Sequence, residues 1–263
     1  MATVKEISEY FEMIAPRSMK MDFDNVGLLV GDGGREVSKI LLALDITDEV
    51  IEEAITYGAD LIFAHHPIMF STKNASTEDP IGRKLVRILG EKMAAICLHT
   101  NLDAADGGVN DALMHVLGIA NEGIIEPFGV AHDGKAYGMG RYGSFDDCEL
   151  TDFLRHCKNA LQCNGLRYID GGKPVRRVAV CGGSGSSMLE AVVALGCDTF
   201  VTADVKHNGF LDAREMGLNL IDAGHYSTEN VVIPVLESMI QRKFPEIETR
   251  ISVCHVQPEQ YFV

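Results

Sequence analysis

Short apolar runs alternate along this chain with segments that repeat apolar residues at helical spacing. The short runs predict buried strands, and the longer amphipathic segments predict helices. Such an order of strand and helix is typical of a parallel sheet that is covered by helices. In the first half, the pattern predicts helices at 4–14, 47–57, 81–92 and 109–117, an apolar run at 28–31, and strands at 39–45, 59–64 and 94–98.

The same alternation restarts after residue 174, and the segment 125–172 interrupts it. We therefore predict an α/β protein of two similar halves, 1–125 and 175–263, joined by a connector at 126–174; assignment as one domain, 1–263, is the alternative. The connector is expected to hold a strand at 135–143, a helix at 149–161 and a turn at 171–174. In the second half, strands are expected at 175–181, 198–202 and 218–222, and helices at 188–195, 209–216 and 225–240.

The two halves also share a local sequence pattern at the ends of their strands. The stretch GADLIFAHHP corresponds to GCDTFVTADVKH, and AAICLHTNLD corresponds to LNLIDAGHYS. In each pair, polar residues follow an apolar strand at the same point. This pattern predicts a degenerate internal repeat whose halves face each other across a cleft.

Composition limits the class of protein and the kind of partner. The 263 residues are 46% hydrophobic and 23% charged, as in a globular protein, and the formal net charge is −15. Because no basic block is present, we expect no contact with a nucleic-acid backbone and instead expect a small-molecule substrate. No apolar stretch could cross a membrane and the first residues lack the pattern of a signal peptide, so we expect a cytoplasmic protein.

The seven cysteines show no C-x-x-C spacing, and several lie within apolar runs. This distribution indicates reduced, buried cysteines that behave as small hydrophobic residues. Neither a disulfide framework nor a zinc site built from thiolates is expected.

Two adjacent histidines, His65 and His66, end an apolar strand and are followed by Pro67. Imidazole is the commonest metal ligand, and the carboxyl end of a strand is where α/β proteins build their sites. Both rings could reach one pocket only if the chain bends there, since neighbouring side chains of a regular strand point to opposite faces. A pair of solvated loop histidines is the alternative for this doublet alone.

Ligand-type side chains follow four strands of the predicted fold. If a helix begins near His225, then Glu229 lies on the same face and can bind the same ion. Asp103 could instead cap a helix and Glu229 could be a solvated helix residue. The combined set suits two borderline cations such as Zn, Mn, Fe or Ni, which would make a bound water a good nucleophile. This candidate metal set consists of His65, His66, Asp103, His225 and Glu229.

Several other polar residues follow these strands. The glycine run 182–185 lacks both the G-x-G-x-x-G pattern and the lysine of a P-loop, so we favour a tight structural turn over a phosphate cradle. His99 and His207 are candidates for proton transfer. Asp204 and Lys206 are candidates for contacts with a ligand or with the metal-binding residues.

Four separated motifs make the chain resemble the NIF3-like proteins, also called GTP cyclohydrolase 1 type 2 homologs. They are Asp24-Asn25-Val26-Gly27-Leu28, Ala64-His65-His66-Pro67, His99-Thr100-Asn101-Leu102-Asp103, and Asp222-Ala223-Gly224-His225 with Glu229. The resemblance implies a NIF3-like fold with a dinuclear metal site between two α/β halves, and a ring-shaped homohexamer. It implies that His65 and His225 hold one metal, that His66 and Asp103 hold the other, and that Glu229 bridges both.

The chain departs from the fullest family pattern in two places. Phe23 stands where many members have tryptophan, and the connector is too short for the inserted domain of longer members. Two functions remain open. The first is a metal-dependent hydrolase that acts on a purine ring or a phosphate ester. The second is a non-catalytic metal-binding protein with a regulatory or assembly role.

Overall fold

Two β-sheets with flanking helices make up the computed structural model, which describes residues 1–71, 74–131 and 134–262. The helices are α1 (Val4–Ile14), α2 (Asp48–Tyr57), α3 (Pro80–Gly90), α4 (Thr100–Ala104), α5 (Val109–Val116), α6 (Leu150–Ala160), α7 (Leu189–Ala194), α8 (His207–Met216), α9 (His225–Glu229) and α10 (Ile233–Lys243). The strands are β1 (Gly27–Val30), β2 (Lys39–Ala43), β3 (Leu61–Ala64), β4 (Ala94–Cys97), β5 (Ala120–Val130), β6 (Ala136–Cys148), β7 (Arg167–Ile169), β8 (Val175–Ser184), β9 (Thr199–Ala203), β10 (Asn219–Asp222) and β11 (Glu248–Ile251).

The chain divides into two compact units, each with its own sheet. The first unit comprises residues 1–102 and 233–256, and the second comprises residues 103–232 and 257–263. The prediction of an α/β protein is confirmed, and both sheets are mixed, with antiparallel strands beside the parallel ones. The division at residues 125 and 174 and the internal repeat stay predictions.

The sheet of the first unit has the strand order β1-β4-β3-β2-β11. Strands β2, β3 and β4 are parallel, β11 is parallel to β2, and β1 is antiparallel to β4. Every residue of β3 and β4 is buried, which is why these strands are continuous apolar runs rather than alternating ones. The edge strand β11 was not predicted because its residues are alternately exposed and half-buried and form no apolar run.

The sheet of the second unit has the strand order β5-β6-β8-β9-β10-β7. Strands β8, β9 and β10 are parallel, whereas β7 is antiparallel to β10, and β6 is antiparallel to both β5 and β8. The predicted connector therefore contains part of β5 together with β6, α6 and β7, and its strands belong to this sheet.

Local sequence signals set where the helices begin and end. Thr47 accepts a hydrogen bond from the backbone of Val50 and begins α2, and Gly58 ends it in the left-handed conformation with φ of 72°. The helix expected at 225–240 is instead two helices, α9 and α10, separated by a 3-10 turn at Asn230–Val232. Pro234 explains this break, because proline lacks the backbone N–H and clashes with the carbonyl four residues earlier. No helix in the described ranges is both long and apolar enough to span a bilayer.

Candidate metal centre

Parallel strands of the first unit bring three histidines to one edge of its sheet. In the register, Ala43 pairs with Ala64 and Ala64 pairs with Cys97, so β2, β3 and β4 end side by side. His65 and His66 follow β3 directly, and His99 follows β4 by one intervening residue. The chain leaves the regular strand at Ala64, which allows both rings of the doublet to turn toward His99.

The three imidazole rings of this histidine cluster, His65, His66 and His99, lie in contact distance of one another. The ring centroids are 5.0 Å apart for His65 and His66, 5.4 Å for His65 and His99, and 5.5 Å for His66 and His99. One nitrogen from each ring lies within 4.8 Å of the corresponding nitrogens of the other two. The cluster could therefore hold a metal ion, and imidazole nitrogen is a donor that suits borderline divalent cations.

In each ring of the cluster, the Nδ1 atom faces an oxygen atom that orients the ring. Nδ1 of His65 lies 2.7 Å from the Leu98 carbonyl oxygen, and Nδ1 of His66 lies 2.7 Å from the Asp45 carboxylate. In His99 it lies 2.9 Å from the Asp24 carboxylate. A carbonyl oxygen only accepts hydrogen bonds, so Nδ1 of His65 donates and its Nε2 carries the lone pair. This is the arrangement in which a histidine binds a metal.

Asp24 is buried and holds two residues at the end of β4. Its carboxylate accepts hydrogen bonds from the Thr100 backbone N–H at 3.0 Å and from the Thr100 hydroxyl at 2.5 Å, besides its contact with His99. Burial by itself raises the pKa of this carboxyl, but the hydrogen bonds from His99 and Thr100 and the charge of His99 outweigh it and lower the pKa to about 2. Asp24 is therefore ionised throughout the neutral range and fixes the His99 ring.

In the second unit, His225 and Glu229 lie at the two ends of α9 and contact each other. Nε2 of His225 is 3.0 Å from Oε2 of Glu229, which is buried. Nδ1 of His225 is 2.7 Å from the Asp204 carboxylate. Burial lowers the pKa of His225, but the hydrogen bonds and charges of Glu229 and Asp204 exceed that effect and raise the pKa to about 9. The raised pKa reflects an ion pair between the two side chains, and their positions place one nitrogen and one carboxylate oxygen side by side on one short helix.

Asp204 adopts a backbone conformation that side chains rarely take. It follows β9 directly, and its φ is 53°, in the left-handed region. Aspartate tolerates this region better than most residues, and such strain is concentrated at functional sites. The bend aims the Asp204 carboxylate at His225.

The glycines at the end of β8 make room for Glu229. Gly183 has φ of 61°, and a Cβ at this position would collide with the Glu229 carboxylate. Its backbone N–H also donates to the Thr228 hydroxyl at 3.0 Å. Gly182 would place a Cβ 3.3 Å from Cγ of Glu229. These contacts give Gly182 and Gly183 a packing role beneath α9.

Asp103 is a buried residue of α4 and is tied to the same part of the second unit. Its backbone carbonyl accepts a hydrogen bond from Nδ2 of the Asn110 side chain at 2.9 Å. Oδ1 of the same side chain accepts one from the Gly182 N–H at 3.0 Å. Burial is the main reason that the pKa of Cys181 is raised, and the charges of Asp103 and Glu229 add to it. Both carboxylates therefore act on the same thiol.

His207 and Lys206 do not take part in these clusters. Both are exposed at the start of α8, and neither belongs to a group of ligand-type side chains within the described ranges. The sequence patterns did not predict that Asp24 and Asp45 orient histidines. The signals that could have found them are the D-N-x-G-L motif and the position of Asp45 after a buried strand.

Comparisons with known proteins agree with this architecture. A family model described as Duf34/NIF3 (NGG1p interacting factor 3) matches residues 2–260. The chain is 37% identical over 253 residues to a Clostridium perfringens protein named GTP cyclohydrolase 1 type 2 homolog, covering 95% of each. A solved hypothetical protein of Staphylococcus aureus matches with a TM-score of 0.90, 29% identity and 99% coverage of both chains. A Bacillus cereus protein related to NIF3 matches with a TM-score of 0.90 at 25% identity, covering 100% of this chain and 99% of that chain.

Proposed function

This chain belongs to the Duf34/NIF3 family, and on that premise we propose that it is a metal-dependent hydrolase. The observation that carries the proposal is the histidine cluster, in which three imidazoles converge and each is oriented through Nδ1 by an oxygen atom. Histidines that bind metals almost always have such a partner at their other ring nitrogen.

The proposed ligand set follows the resemblance and includes residues of both units. His65 and His225 would hold one divalent ion, His66 and Asp103 a second, and Glu229 would contact both. These nitrogen and carboxylate donors suit Zn, Mn, Fe or Ni. When bound, two such ions would lower the pKa of a water molecule and stabilise negative charge on the substrate.

His99 is the residue that we propose for proton transfer. Its Nδ1 faces the ionised Asp24 carboxylate at 2.9 Å, so Nε2 can accept a proton while the carboxylate stabilises the imidazolium that forms. The ring lies beside His65 and His66. His207 is the alternative for this role, with Lys206 next to it as the cation that could contact a phosphate.

The substrate class that we propose is a nucleotide-like or phosphate-containing small molecule. Relatives that share 30–37% identity carry the name GTP cyclohydrolase 1 type 2 homolog. Bound divalent cations would reverse the local effect of the chain's net charge of −15 and so allow an anionic substrate to approach.

The test begins with protein purified without chelators. Elemental analysis is expected to approach two transition-metal ions per chain, and GTP and generic phosphodiesters are the substrates to assay. Glu229→Ala should lose most of the metal and the turnover, whereas Glu190→Ala, an exposed carboxylate in the first turn of α7, serves as the matched control.

Three results would separate hydrolysis from its alternatives. Turnover that survives removal of the metal would contradict a metal-dependent hydrolase. Full metal content with no turnover on a broad substrate panel would favour the non-catalytic role in metal handling or assembly. Metal content near zero in wild type would contradict the ligand set itself.

We further propose that the chain acts in the cytoplasm, as its sequence suggests, and that it assembles as a ring-shaped homohexamer, as the resemblance implies. Light scattering should then give a mass near six times the chain mass of 28.7 kDa. A monomeric mass at micromolar concentration would contradict this assembly.

A further inference from the structure

Two phenylalanine rings of the first unit, Phe23 and Phe70, remain exposed beside each other and form an aromatic pair. Phe23 is 67% exposed and Phe70 is 53% exposed. Their ring centroids are 6.2 Å apart, and the ring planes meet at 47°. Burying such side chains would stabilise the fold, so two neighbouring exposed rings are a feature that folding alone does not explain.

The aromatic pair adjoins the histidine cluster. The Phe70 ring lies 5.7 Å from the His99 ring in an edge-to-face arrangement. His99 in turn lies 5.4 Å from His65 and 5.5 Å from His66. A continuous row of rings therefore leads from the exposed Phe23 to the proposed metal ligands within one unit.

The backbone beneath both phenylalanines is held in place. The turn that carries Phe23 is closed by a hydrogen bond from Asp24 N–H to the Met21 carbonyl at 3.0 Å. Met21 N–H donates to the Thr100 hydroxyl at 2.9 Å. The Asn25 amide donates to the Met69 carbonyl at 2.9 Å, directly before Phe70. Such anchoring reduces the entropy lost when a ligand binds.

We propose that Phe23 and Phe70 bind the planar aromatic ring of the substrate by stacking, which identifies the substrate class as a nucleotide or a similar heterocyclic phosphate. This inference rests on the proposed function, because the histidine cluster would hold the reacting end of the same molecule. Aromatic rings pair in offset or edge-to-face geometry at about 4.5–7 Å between centroids, and more than half of each phenylalanine is exposed for such contact. Stacking accepts any base with a π face, so the pair selects for aromatic substrates without choosing among bases.

A second copy of the chain is the competing occupant of these rings. The aromatic pair consists of two side chains only, whereas a stable protein interface buries about 1,200–2,000 Å². Its contact with the histidine cluster also places it where a small ligand would need a second point of attachment. Both features favour a substrate ring over a protein surface.

The test compares two probes on the full-length metal-loaded protein by calorimetry. Guanosine monophosphate carries a base, and ribose 5-phosphate has the same sugar phosphate without one. We expect wild type to bind guanosine monophosphate at least about tenfold more tightly than ribose 5-phosphate. This is the affinity difference expected when one base–aromatic stack is lost. Phe23→Leu and Phe70→Leu keep an apolar side chain but remove the π face, and each should abolish most of that preference while leaving the affinity for ribose 5-phosphate unchanged.

The matched control is Phe128→Leu, which removes an exposed ring from β5 of the second unit. It should keep the wild-type preference. Equal affinity of wild type for the two probes, no binding of either probe, or an unchanged preference in both leucine variants would overturn the inference. A change in mass by light scattering in Phe23→Leu or Phe70→Leu would overturn it in favour of a second copy.

Failure of this inference and failure of the proposed function give different results. If wild type contains metal and hydrolyses phosphodiesters but shows no preference for the base, only the stacking role is wrong. If the base preference depends on Phe23 and Phe70 but the metal-loaded protein shows no turnover, the hydrolase proposal is wrong and the stacking site stands.

Discussion

Four histidines of this chain share one local arrangement, although they follow different strands. Nδ1 of His65, His66, His99 and His225 lies 2.7–2.9 Å from an oxygen atom. One of these oxygens belongs to a backbone carbonyl and the other three belong to aspartates. Such partners fix the ring orientation and the tautomer, and they raise the basicity of the other ring nitrogen.

Asp45 is the simplest place to test this arrangement, because its carboxylate contacts His66 and is not itself a proposed ligand. Asp45→Ala should weaken metal binding by about 10–100-fold, since the His66 ring loses its orienting partner. Competition with a chromophoric chelator measures the dissociation constant. Asp48→Ala is the matched control, because Asp48 lies three residues away and contacts Arg83. Equal affinities in the two variants would show that Asp45 does not position a ligand.

Asp24 should make stability depend on pH in the acid range. The pKa of its carboxyl falls from 3.8 to about 2 on folding, despite burial, because of hydrogen bonds from His99 and Thr100. A lowered pKa in the folded state stabilises the protein fully above about pH 4, and this contribution is lost as the pH falls through 2. Asp24→Asn should therefore cost about 2 kcal/mol at pH 7 and progressively less toward pH 2.

Denaturant unfolding of wild type and Asp24→Asn at several pH values measures this difference. Asp48→Asn provides the control, since its half-exposed carboxylate contacts an arginine on the surface. A difference between wild type and Asp24→Asn that stays constant from pH 7 to pH 2 would contradict the assigned ionisation.

The sequence revealed the histidines but not the residues that orient them. His65 and His66 end an apolar run, and that pattern is local. Asp24 contacts His99 across 75 positions of the chain, and no local periodicity reports such a pairing. The unusual φ of Asp204 is likewise set by the chain's path after β9 rather than by its neighbours in sequence.

At the level of elements, the strands that were predicted best are the ones buried on both faces. Strands β3 and β4 lie in the middle of the first sheet and are wholly buried, so their sequences are uninterrupted apolar runs. Strands β7 and β11 are edge strands whose residues are exposed or half-buried. Their extended conformation depends on pairing with a neighbouring strand, β10 for β7 and β2 for β11. Their existence depends on tertiary pairing that the local pattern does not encode.

The end of β8 and the helix α9 form the element pair on which Glu229 depends. Gly183→Ala should lower the free energy of unfolding by more than the cost of placing alanine in a left-handed conformation. The additional loss is expected because the new Cβ would collide with the Glu229 carboxylate. Gly196→Ala is the matched control: its φ is 74°, and nothing lies within 4 Å of a Cβ there. The control should cost about 1–2 kcal/mol.

Denaturant unfolding and metal analysis of both glycine variants check this expectation. Gly183→Ala should lose at least about 1 kcal/mol beyond the control, typical of overpacking, and should retain less metal. Equal losses of stability with normal metal content would mean that α9 shifts freely and that Gly183 does not support Glu229.

At the scale of the whole molecule, the proposed ligands link metal binding to folding. The residues that we assign belong to both units, and the chain carries a net charge of −15. Any ligand that binds only the folded state stabilises it by mass action, by about 2.7 kcal/mol at a free concentration of one hundred times Kd. Bound cations also reduce the repulsion among the carboxylates of an acidic chain.

Removal of the metal should therefore lower the thermal stability of the entire protein. We expect a chelator to reduce Tm by about 5 °C or more and excess zinc or manganese to restore it, given a sensitivity of about 2–4 °C per kcal/mol for chains near this size. Glu229→Gln should remove most of this response because it neutralises the carboxylate assigned to both ions, whereas Glu190→Gln should keep it. A Tm that is identical with and without chelator in wild type would show that metal binding and folding are not coupled. A full response in Glu229→Gln would instead remove Glu229 from the ligand set and leave the histidine cluster of the first unit as the metal site.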